Sequence, residues 1–201
     1  MDLNLAEVSP HERYKLLIGL VIPRPIAWIS TRSANGIANC APFSFFNVFS
    51  EDPPLIVIGI NPRSDGALKH SLKNIRRTGE FVVNLVDEAT ANAMHVSSGE
   101  FTEDESEFEK AGLREAPGAL VQHPRIAEAA ACLECRLERL IEISGTRQLV
   151  LGEILLIHAR DGIIDPVTKR ISEERYRPIG RLFANRYCTT RQRFDLPGEL
   201  P

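Results

Sequence analysis

IPRPIAWISTRSANGIANCAPFSFFNVFSEDPP, residues 22–54, is the stretch that decides the fold. Near its middle, Asn35-Gly36 predicts a tight type I′ turn, because both central positions of that turn need positive φ. Predominantly apolar runs flank the turn, over residues 26–32 and 37–45. We therefore expect a β-hairpin in which these two runs pair.

After the turn, amide and hydroxyl side chains alternate with small and aromatic ones. The polar members are Asn39, Ser44 and Asn47, and between them stand Ala41, Pro42, Phe43, Phe45 and Phe46. Hydrogen-bonding groups beside flat apolar surface suit a planar heteroaromatic ligand. A buried hairpin whose polar side chains face water or cap turns is the alternative interpretation.

A second group of polar residues lies between Asn61 and Ile75. We expect Ser71 to cap a short helix that Gly79 ends. A helix N-terminus supplies unpaired N–H groups and the positive end of the dipole, and Lys69 and Arg63 add two cations nearby. This segment therefore predicts a phosphate site, with an ordinary surface loop before a capped helix as the alternative.

The order of these motifs resembles the flavin reductase-like, FMN-binding split-barrel family. In the first segment the family pattern is matched by Arg24-Pro25, Ser30-Thr31, Gly36, Asn39, Ala41-Pro42, Ser44, Phe46 and Asp52-Pro53-Pro54. In the second it is matched by Lys69, Asn74-Ile75, Gly79-Glu80-Phe81 and Asn84, with His70 and Ser71 where the family has Asp and Thr. Residues 178–182 resemble the family's late Pro-x-Gly-Arg-Leu segment, with Phe183-Ala184 where Gly-Gly is more common.

The resemblance implies a mainly β fold with inserted helices, a six-stranded antiparallel Greek-key split β-barrel. It also implies a homodimer with the flavin in a groove near the dimer interface. We expect one domain over residues 1–201. Strands that mostly succeed one another, with helices inserted between them, independently favour a closed or nearly closed antiparallel barrel.

The resemblance further implies FMN as the cofactor. The residues expected to bind it are Trp28, Ser30, Thr31, Asn39, Ala41, Pro42, Phe43, Ser44, Phe45, Asn47, Arg63, Lys69, Ser71, Arg181 and Tyr187. Arg181 and Tyr187 are expected to line the nicotinamide side or the partner subunit's flavin. For Trp28 and Tyr187, packing in the core stays open as the other interpretation.

The activity implied is hydride transfer from NADH or NADPH to flavin, with reduced flavin passing to a monooxygenase or another acceptor protein. No catalytic side chain is expected, because the flavin carries the electrons and the protein binds and orients it. A flavoredoxin-like FMN electron carrier is the alternative. A related split barrel with another cofactor, such as haem, or with none, is a third interpretation.

Charge and hydropathy exclude other classes of function. The 201 residues carry a net charge of −3, which gives no reason to expect nucleic acid as a partner. The apolar run over residues 16–29 is interrupted by Pro23-Arg24-Pro25 and is too short to span a membrane. The first residues carry acidic side chains and no apolar signal core, so we expect a cytoplasmic protein.

Cys132 and Cys135 form a Cys-x-x-Cys pair, but we expect no metal or redox site there. The sequence from Leu133 mostly alternates apolar and charged residues, as a half-buried strand does. Residues three apart on a strand point to opposite faces, so the two sulfurs diverge. The histidines show no metal-ligand spacing, and His123 is expected in a solvated loop or near a flavin edge.

The remaining elements follow from caps and periodicity. A capping box at Ser9 with Pro10 predicts a helix toward Leu20. Strands are predicted near residues 55–60, 80–86, 131–143 and 148–159, with a mixed helical and acidic segment over residues 88–112.

Overall fold

The computed structural model describes residues 1–196 and 198. Its helices are α1 (Pro10–Leu20), α2 (His70–Thr78), α3 (Ala91–Val96) and α4 (Glu107–Lys110). Its strands are β1 (Ala27–Arg32), β2 (Ala38–Phe43), β3 (Phe46–Glu51), β4 (Pro54–Ile60), β5 (Glu80–Leu85), β6 (Glu115–Ala116), β7 (Arg125–Ile126), β8 (Ala131–Ser144), β9 (Arg147–Ala159), β10 (Ile179–Arg181) and β11 (Tyr187–Thr189).

The main sheet closes on itself through a bend in the chain. Its strand order is β2-β1-β5-β8-β9-β4-β3, and every pair is antiparallel. The two outermost strands, β2 and β3, are consecutive and separated only by Ser44-Phe45. Counted as one bent strand, they complete the predicted six-stranded antiparallel barrel.

Alternate residues of β1 face two different cores. Ala27 and Ile29 pack inside the barrel with apolar residues of β2, β4, β5, β8 and β9, and α2 covers this core with Leu72 and Ile75. Trp28 points to the outer side and packs with residues of α3 and α4. The barrel wall is therefore buried on both faces near β1, and its outer layer is where the inserted helices attach.

The two cysteines of the Cys-x-x-Cys pair divide between these cores, as the strand period predicts. Cys132 packs in the outer cluster and Cys135 inside the barrel. Burial raises the pKa of the Cys132 thiol to about 11 and that of Cys135 higher still. Both thiols are therefore neutral packing groups at ordinary pH.

The hairpin turn differs from the predicted type I′ turn. Gly36 N–H donates to Ser33 O (3.1 Å), and Ser33 N–H donates to Ile37 O (2.9 Å). Only Gly36 has a positive φ, of 82°, while Asn35 does not. The loop is thus a three-residue connection with a type I turn and a left-handed glycine, so the type I′ prediction is wrong in its geometry and correct in its place.

Most other predicted elements are confirmed. The capping box at Ser9 is present, with Ser9 N–H donating to Glu12 Oε2 (2.9 Å). The long hairpin β8–β9 and the strands β4 and β5 lie within a residue or two of their predicted bounds. Strand β3 was not predicted, because it follows β2 without the turn residues that ordinarily separate two strands.

His123 connects three parts of the barrel through hydrogen bonds. It lies neither in a solvated loop nor in a groove. It is only 2% exposed. Arg32 N–H donates to Nδ1 (3.0 Å), and Nε2 lies 2.9 Å from Thr78 Oγ1. It thereby connects the end of β1 with the last residue of α2. Burial is the main cause that lowers the pKa of His123, with Arg77 and Arg32 adding to the effect and Glu80 opposing it.

We predict that acidification destabilises the fold through His123. A folded-state pKa below the ordinary value of 6.5 means that the unfolded chain takes the proton first, so stability is full above pH 6.5 and falls as the pH drops below it. The slope reaches at most about 1.4 kcal/mol per pH unit for one proton. Urea unfolding of the protein and of His123→Gln between pH 8 and pH 5 measures it.

The variant should show a shallower loss of stability with acid than the parent, and the difference isolates His123 from other titrating groups. The control is His11→Gln, because His11 is exposed on α1. Identical pH slopes for the parent and His123→Gln would contradict the prediction.

Candidate functional site

Three cavities follow one another along the outer edge of β2. The central cavity, of 60 Å³, is lined by Asn39, Ala41–Phe43, Arg63, Lys69–Ser71, Ser97–Phe101 and Glu107. The distal cavity, of 330 Å³, shares Pro42, Phe43 and Ser98 with it. The hairpin cavity, of 180 Å³, shares Asn39 and His70 with it and extends to the β1–β2 turn. Together they form a groove.

The N-terminus of α2 opens into the central cavity. The helix begins at His70 after the N-cap Lys69, and no side chain caps it. Its first-turn backbone N–H groups have no intrahelical partners and carry the positive end of the helix dipole. The prediction that Ser71 is the cap is therefore wrong. Ser71 is the second helical residue, and its hydroxyl donates to Asn39 Oδ1 (3.0 Å).

Two cations stand beside this helix end. Arg63 Nη1 donates to Phe101 O (3.1 Å) and lies 3.2 Å from His70 Nε2. Lys69 Nζ lies 3.6 Å from Glu100 Oε1. Burial, followed by the Arg63 charge, lowers the pKa of His70, which favours its neutral form. Positive charge is therefore concentrated on Arg63, Lys69 and the helix end.

The carboxylate of Glu100 lies at the same end of α2 and pairs with Lys69. It accepts hydrogen bonds from Ser64 N–H (3.0 Å) and from the Ser64 hydroxyl. These bonds are the main cause that lowers the pKa of Glu100 to about 2, so the carboxylate stays ionised. Glu100 belongs to the mixed helical and acidic segment predicted over residues 88–112, and this segment folds beside the N-terminus of α2 and lines the groove.

A buried polar network holds the groove floor in place. Asn39 Nδ2 donates to Glu107 Oε1 (2.6 Å), and Asn39 Oδ1 accepts from Ser71 and from Thr31 Oγ1 (3.2 Å). Asn74 Nδ2 donates in turn to Thr31 (3.0 Å). Glu107 Oε2 is buried without a partner among the described residues. Burial raises the pKa of Glu107, since the charged form is poorly solvated there.

Three of the expected cofactor-binding residues have no side chain in the groove. Trp28, Ser30 and Thr31 are fully buried. Trp28 Nε1 donates to Ser97 Oγ (2.9 Å), Ser30 Oγ donates to Pro124 O (2.6 Å), and Thr31 belongs to the network above. These side chains lie on β1, behind β2, where they pack and support the residues that line the groove.

The other expected residues divide between the groove and the outer surface. Asn39, Ala41, Pro42, Phe43, Arg63, Lys69 and Ser71 line the central cavity, and Ser44, Arg181 and Tyr187 line the distal cavity. Phe45 and Asn47 line none of these cavities. Phe45 is 40% exposed, with its ring edge-on to Tyr14 (6.4 Å between centroids), and Asn47 is exposed on β3. The bend between β2 and β3 turns these two residues away from the groove.

Several groove residues were not expected from the sequence. Residues 97–101 and Glu107 belong to the segment predicted as helical and acidic, and Tyr14, Ile18 and His95 come from α1 and α3. The one usable signal in the sequence was Phe108, an apolar residue inside the predicted acidic segment. Phe108 is 2% exposed and packs α4 against the outer core. An apolar residue in such an acidic segment indicates that the segment packs against the rest of the protein.

The comparisons with known proteins agree with this architecture. Residues 19–179 match the family described as Flavin reductase like domain, and the chain belongs to that family. An uncharacterized protein of Aquifex aeolicus is 43% identical over 187 residues, covering 93% of this chain and 94% of that one.

Two solved structures extend the likeness over almost the whole fold. The 2-nitrobenzoate 2-nitroreductase of Pseudomonas fluorescens is 36% identical with a TM-score of 0.91, covering 100% of this chain and 98% of that one. Nitrilotriacetate monooxygenase component B of Bacillus cereus is 31% identical with a TM-score of 0.92, covering 98% of each chain. Within residues 1–196 and 198, no helix is long and apolar enough to cross a membrane.

Proposed function

We propose that this protein binds FMN in the groove along β2 and acts as an NAD(P)H-dependent flavin reductase. The observation that carries the proposal is the central cavity. It brings Arg63, Lys69 and the N-terminus of α2 within one site with Asn39 and Ala41–Phe43, although the two segments lie far apart in sequence.

The phosphate of FMN fits the α2 end of the groove. The unpaired N–H groups of the helix, Lys69 and Arg63 supply oriented donors and positive charge, as a dianionic phosphate needs. His70 stands where the family has an acid and, in its neutral form, adds no repulsion to the phosphate. In the structure the Glu100 carboxylate pairs with Lys69 and Ser64. Binding of FMN would therefore replace this carboxylate with the phosphate at those two residues.

The ribityl chain fits the middle of the groove. Its hydroxyl groups are donors that need acceptors, and Glu107 Oε2 is a buried acceptor without a partner among the described residues. The carboxyl is held in position because Glu107 Oε1 accepts from Asn39. A buried polar atom of this kind carries a desolvation cost that a ligand hydroxyl would remove.

The flavin ring fits the section next to Pro42 and Phe43. There β2 pairs with β1 on one side only, so backbone groups of Ala41–Ser44 on its other edge are available as hydrogen-bond partners. Bound FMN supplies the hydride acceptor and the electron donor of the reaction. The side chains of this groove bind and orient it and exclude water, and none is required as a nucleophile.

The relatives support an oxidoreductase acting with a partner or a second substrate. One is a 2-nitrobenzoate 2-nitroreductase and another is component B of a nitrilotriacetate monooxygenase. We propose that this protein likewise passes electrons from NADH or NADPH through flavin to a monooxygenase or another acceptor.

We also propose that the protein is a homodimer. Val48 and Phe49 on β3 are each 66% exposed, and β3 is the outermost strand of the sheet. Apolar side chains on an open strand edge favour contact with another chain. Light scattering should give a mass twice that of one chain.

Lys69→Gln is predicted to weaken FMN binding by about tenfold and to leave riboflavin binding unchanged, because the lysine contacts only the phosphate. Quenching of flavin fluorescence measures both affinities. Lys110→Gln is the matched control, since Lys110 also pairs with a glutamate, Glu105, but itself lines none of the three cavities. An equal loss for FMN and riboflavin would place Lys69 away from the phosphate and contradict the assignment.

The reductase activity is predicted to show as flavin-dependent oxidation of NADH or NADPH, followed by absorbance at 340 nm. Anaerobic addition of the nicotinamide should bleach the visible spectrum of the FMN-loaded protein. Retention of FMN through gel filtration with no bleaching by either nicotinamide would reject the reductase and indicate a flavoredoxin-like carrier. A protein that gains no flavin spectrum at all would reject the cofactor.

A further inference from the structure

The distal cavity differs from the rest of the groove in its charge. Glutamates line both the central and the hairpin cavities, but no aspartate or glutamate is among the described residues that line the distal cavity. Its ionisable side chains are Arg24, Arg181, His95 and the two phenols of Tyr14 and Tyr187. The distal cavity therefore has a positive electrostatic character that favours an anion.

Arg24 is committed to the fold. Its Nη1 donates to Ile18 O (2.6 Å) and Val21 O (2.8 Å), and its Nη2 donates to Leu182 O (2.5 Å). The residue is only 6% exposed. These bonds tie the end of α1 to the segment after β10, so Arg24 builds the wall of the cavity rather than serving as its ligand-binding cation.

Arg181 is available to a ligand. Its Nη1 donates to the Tyr187 hydroxyl, and its guanidinium carbon lies 4.6 Å from the centre of the Tyr187 ring. No carboxylate among the described residues forms an ion pair with it. Because the Tyr187 oxygen accepts from Arg181, its own proton remains to be donated. The remaining guanidinium N–H groups and this phenol are thus adjacent donors held by the β10–β11 pair.

Part of the lining of the distal cavity is apolar. The buried core residues Ile26, Phe43 and Met94 line the distal cavity, together with Pro42. The volume of 330 Å³ lies at the small end of ligand pockets, which range from about 300 to 1,000 Å³. A single planar ring fits such a space better than a dinucleotide does.

We propose that the distal cavity is a subsite for a single-ring aromatic carboxylate, whose carboxylate is bound by Arg181 and Tyr187. The inference rests on the proposed function, because Pro42, Phe43 and Ser98 line both this subsite and the section of the groove assigned to FMN. A ring bound here lies beside the flavin, in the place of its second substrate. The converging groups are all donors, which favours a carboxylate over an uncharged carboxamide.

Benzoate and benzamide provide the test, because they share a shape and differ in charge. Isothermal titration calorimetry of the protein, with and without saturating FMN, should show benzoate binding at least about tenfold more tightly than benzamide. Arg181→Gln should abolish this preference while leaving the affinity for benzamide unchanged. Tyr187→Phe should reduce the preference in part, and Arg170→Gln, at an exposed arginine that does not line the distal cavity, should retain it in full.

The outcomes separate this inference from the proposed function. Binding of FMN without binding of benzoate, or equal affinities for benzoate and benzamide, would overturn the subsite and leave the flavin site standing. Benzoate preference that depends on Arg181 without any FMN binding would support the anion subsite and reject the flavin proposal. Circular dichroism checks that Arg181→Gln is folded, and Tyr187→Phe tests the same contact if it is not. A benzoate preference that survives in both folded variants would also overturn the assignment.

Discussion

The groove exists because the barrel closes with one bent strand instead of two paired ones. Ser44-Phe45 separates β2 from β3, so β2 pairs with β1 at one end of the sheet order while β3 pairs with β4 at the other. The outer edge of β2 consequently has none of the described strands beside it. Backbone groups on an open edge need partners, and here α3, α4 and the loop before α4 cover that edge only in part.

One buried hydrogen-bond network joins β2, which forms the floor of the groove, to the helices beside it. Asn39 of β2 holds Glu107 of α4 on one side and Ser71 of α2 on the other. A buried amide that satisfies two partners fixes the distance between the elements that carry them, since breaking either bond leaves a buried polar atom unpaired. The network thus sets the spacing between the N-terminus of α2 and the aromatic section of β2. A site that contacts both ends of one ligand requires that spacing to be constant.

Charge is distributed unevenly along the groove. Around α2, Lys69 and Lys73 pair with Glu100 and Glu103, so these two cations already have carboxylate partners. In the distal cavity the described residues offer cations without carboxylates. Under the proposed function, the FMN phosphate competes with internal carboxylates at one end, whereas a small anion meets no carboxylate among the described residues that line the other. The two ends of the groove are suited to different ligands for this reason.

Local pattern was sufficient for much of the fold. The capping box at Ser9, the alternation in β8 and the apolar run of β4 each depend on neighbours within a few residues, and the structure has these elements where the sequence predicts them. The opposite facing of Cys132 and Cys135 follows from strand geometry alone. The motif order also indicated the family, and the groove lining includes ten of the fifteen residues expected to bind the cofactor.

Tertiary structure decided which motif residues reach the groove. Trp28, Ser30 and Thr31 lie in the same stretch as Asn39 and Pro42, residues 22–54, yet they lie one strand behind and are buried. Glu107 carries no local signal for a site and becomes part of one only because Asn39, 68 residues away in sequence, donates to it. A sequence specifies the period of a strand and the cap of a helix through nearby atoms. Which side chain is left facing a cavity depends on contacts between distant segments, and those exist only once the barrel has closed.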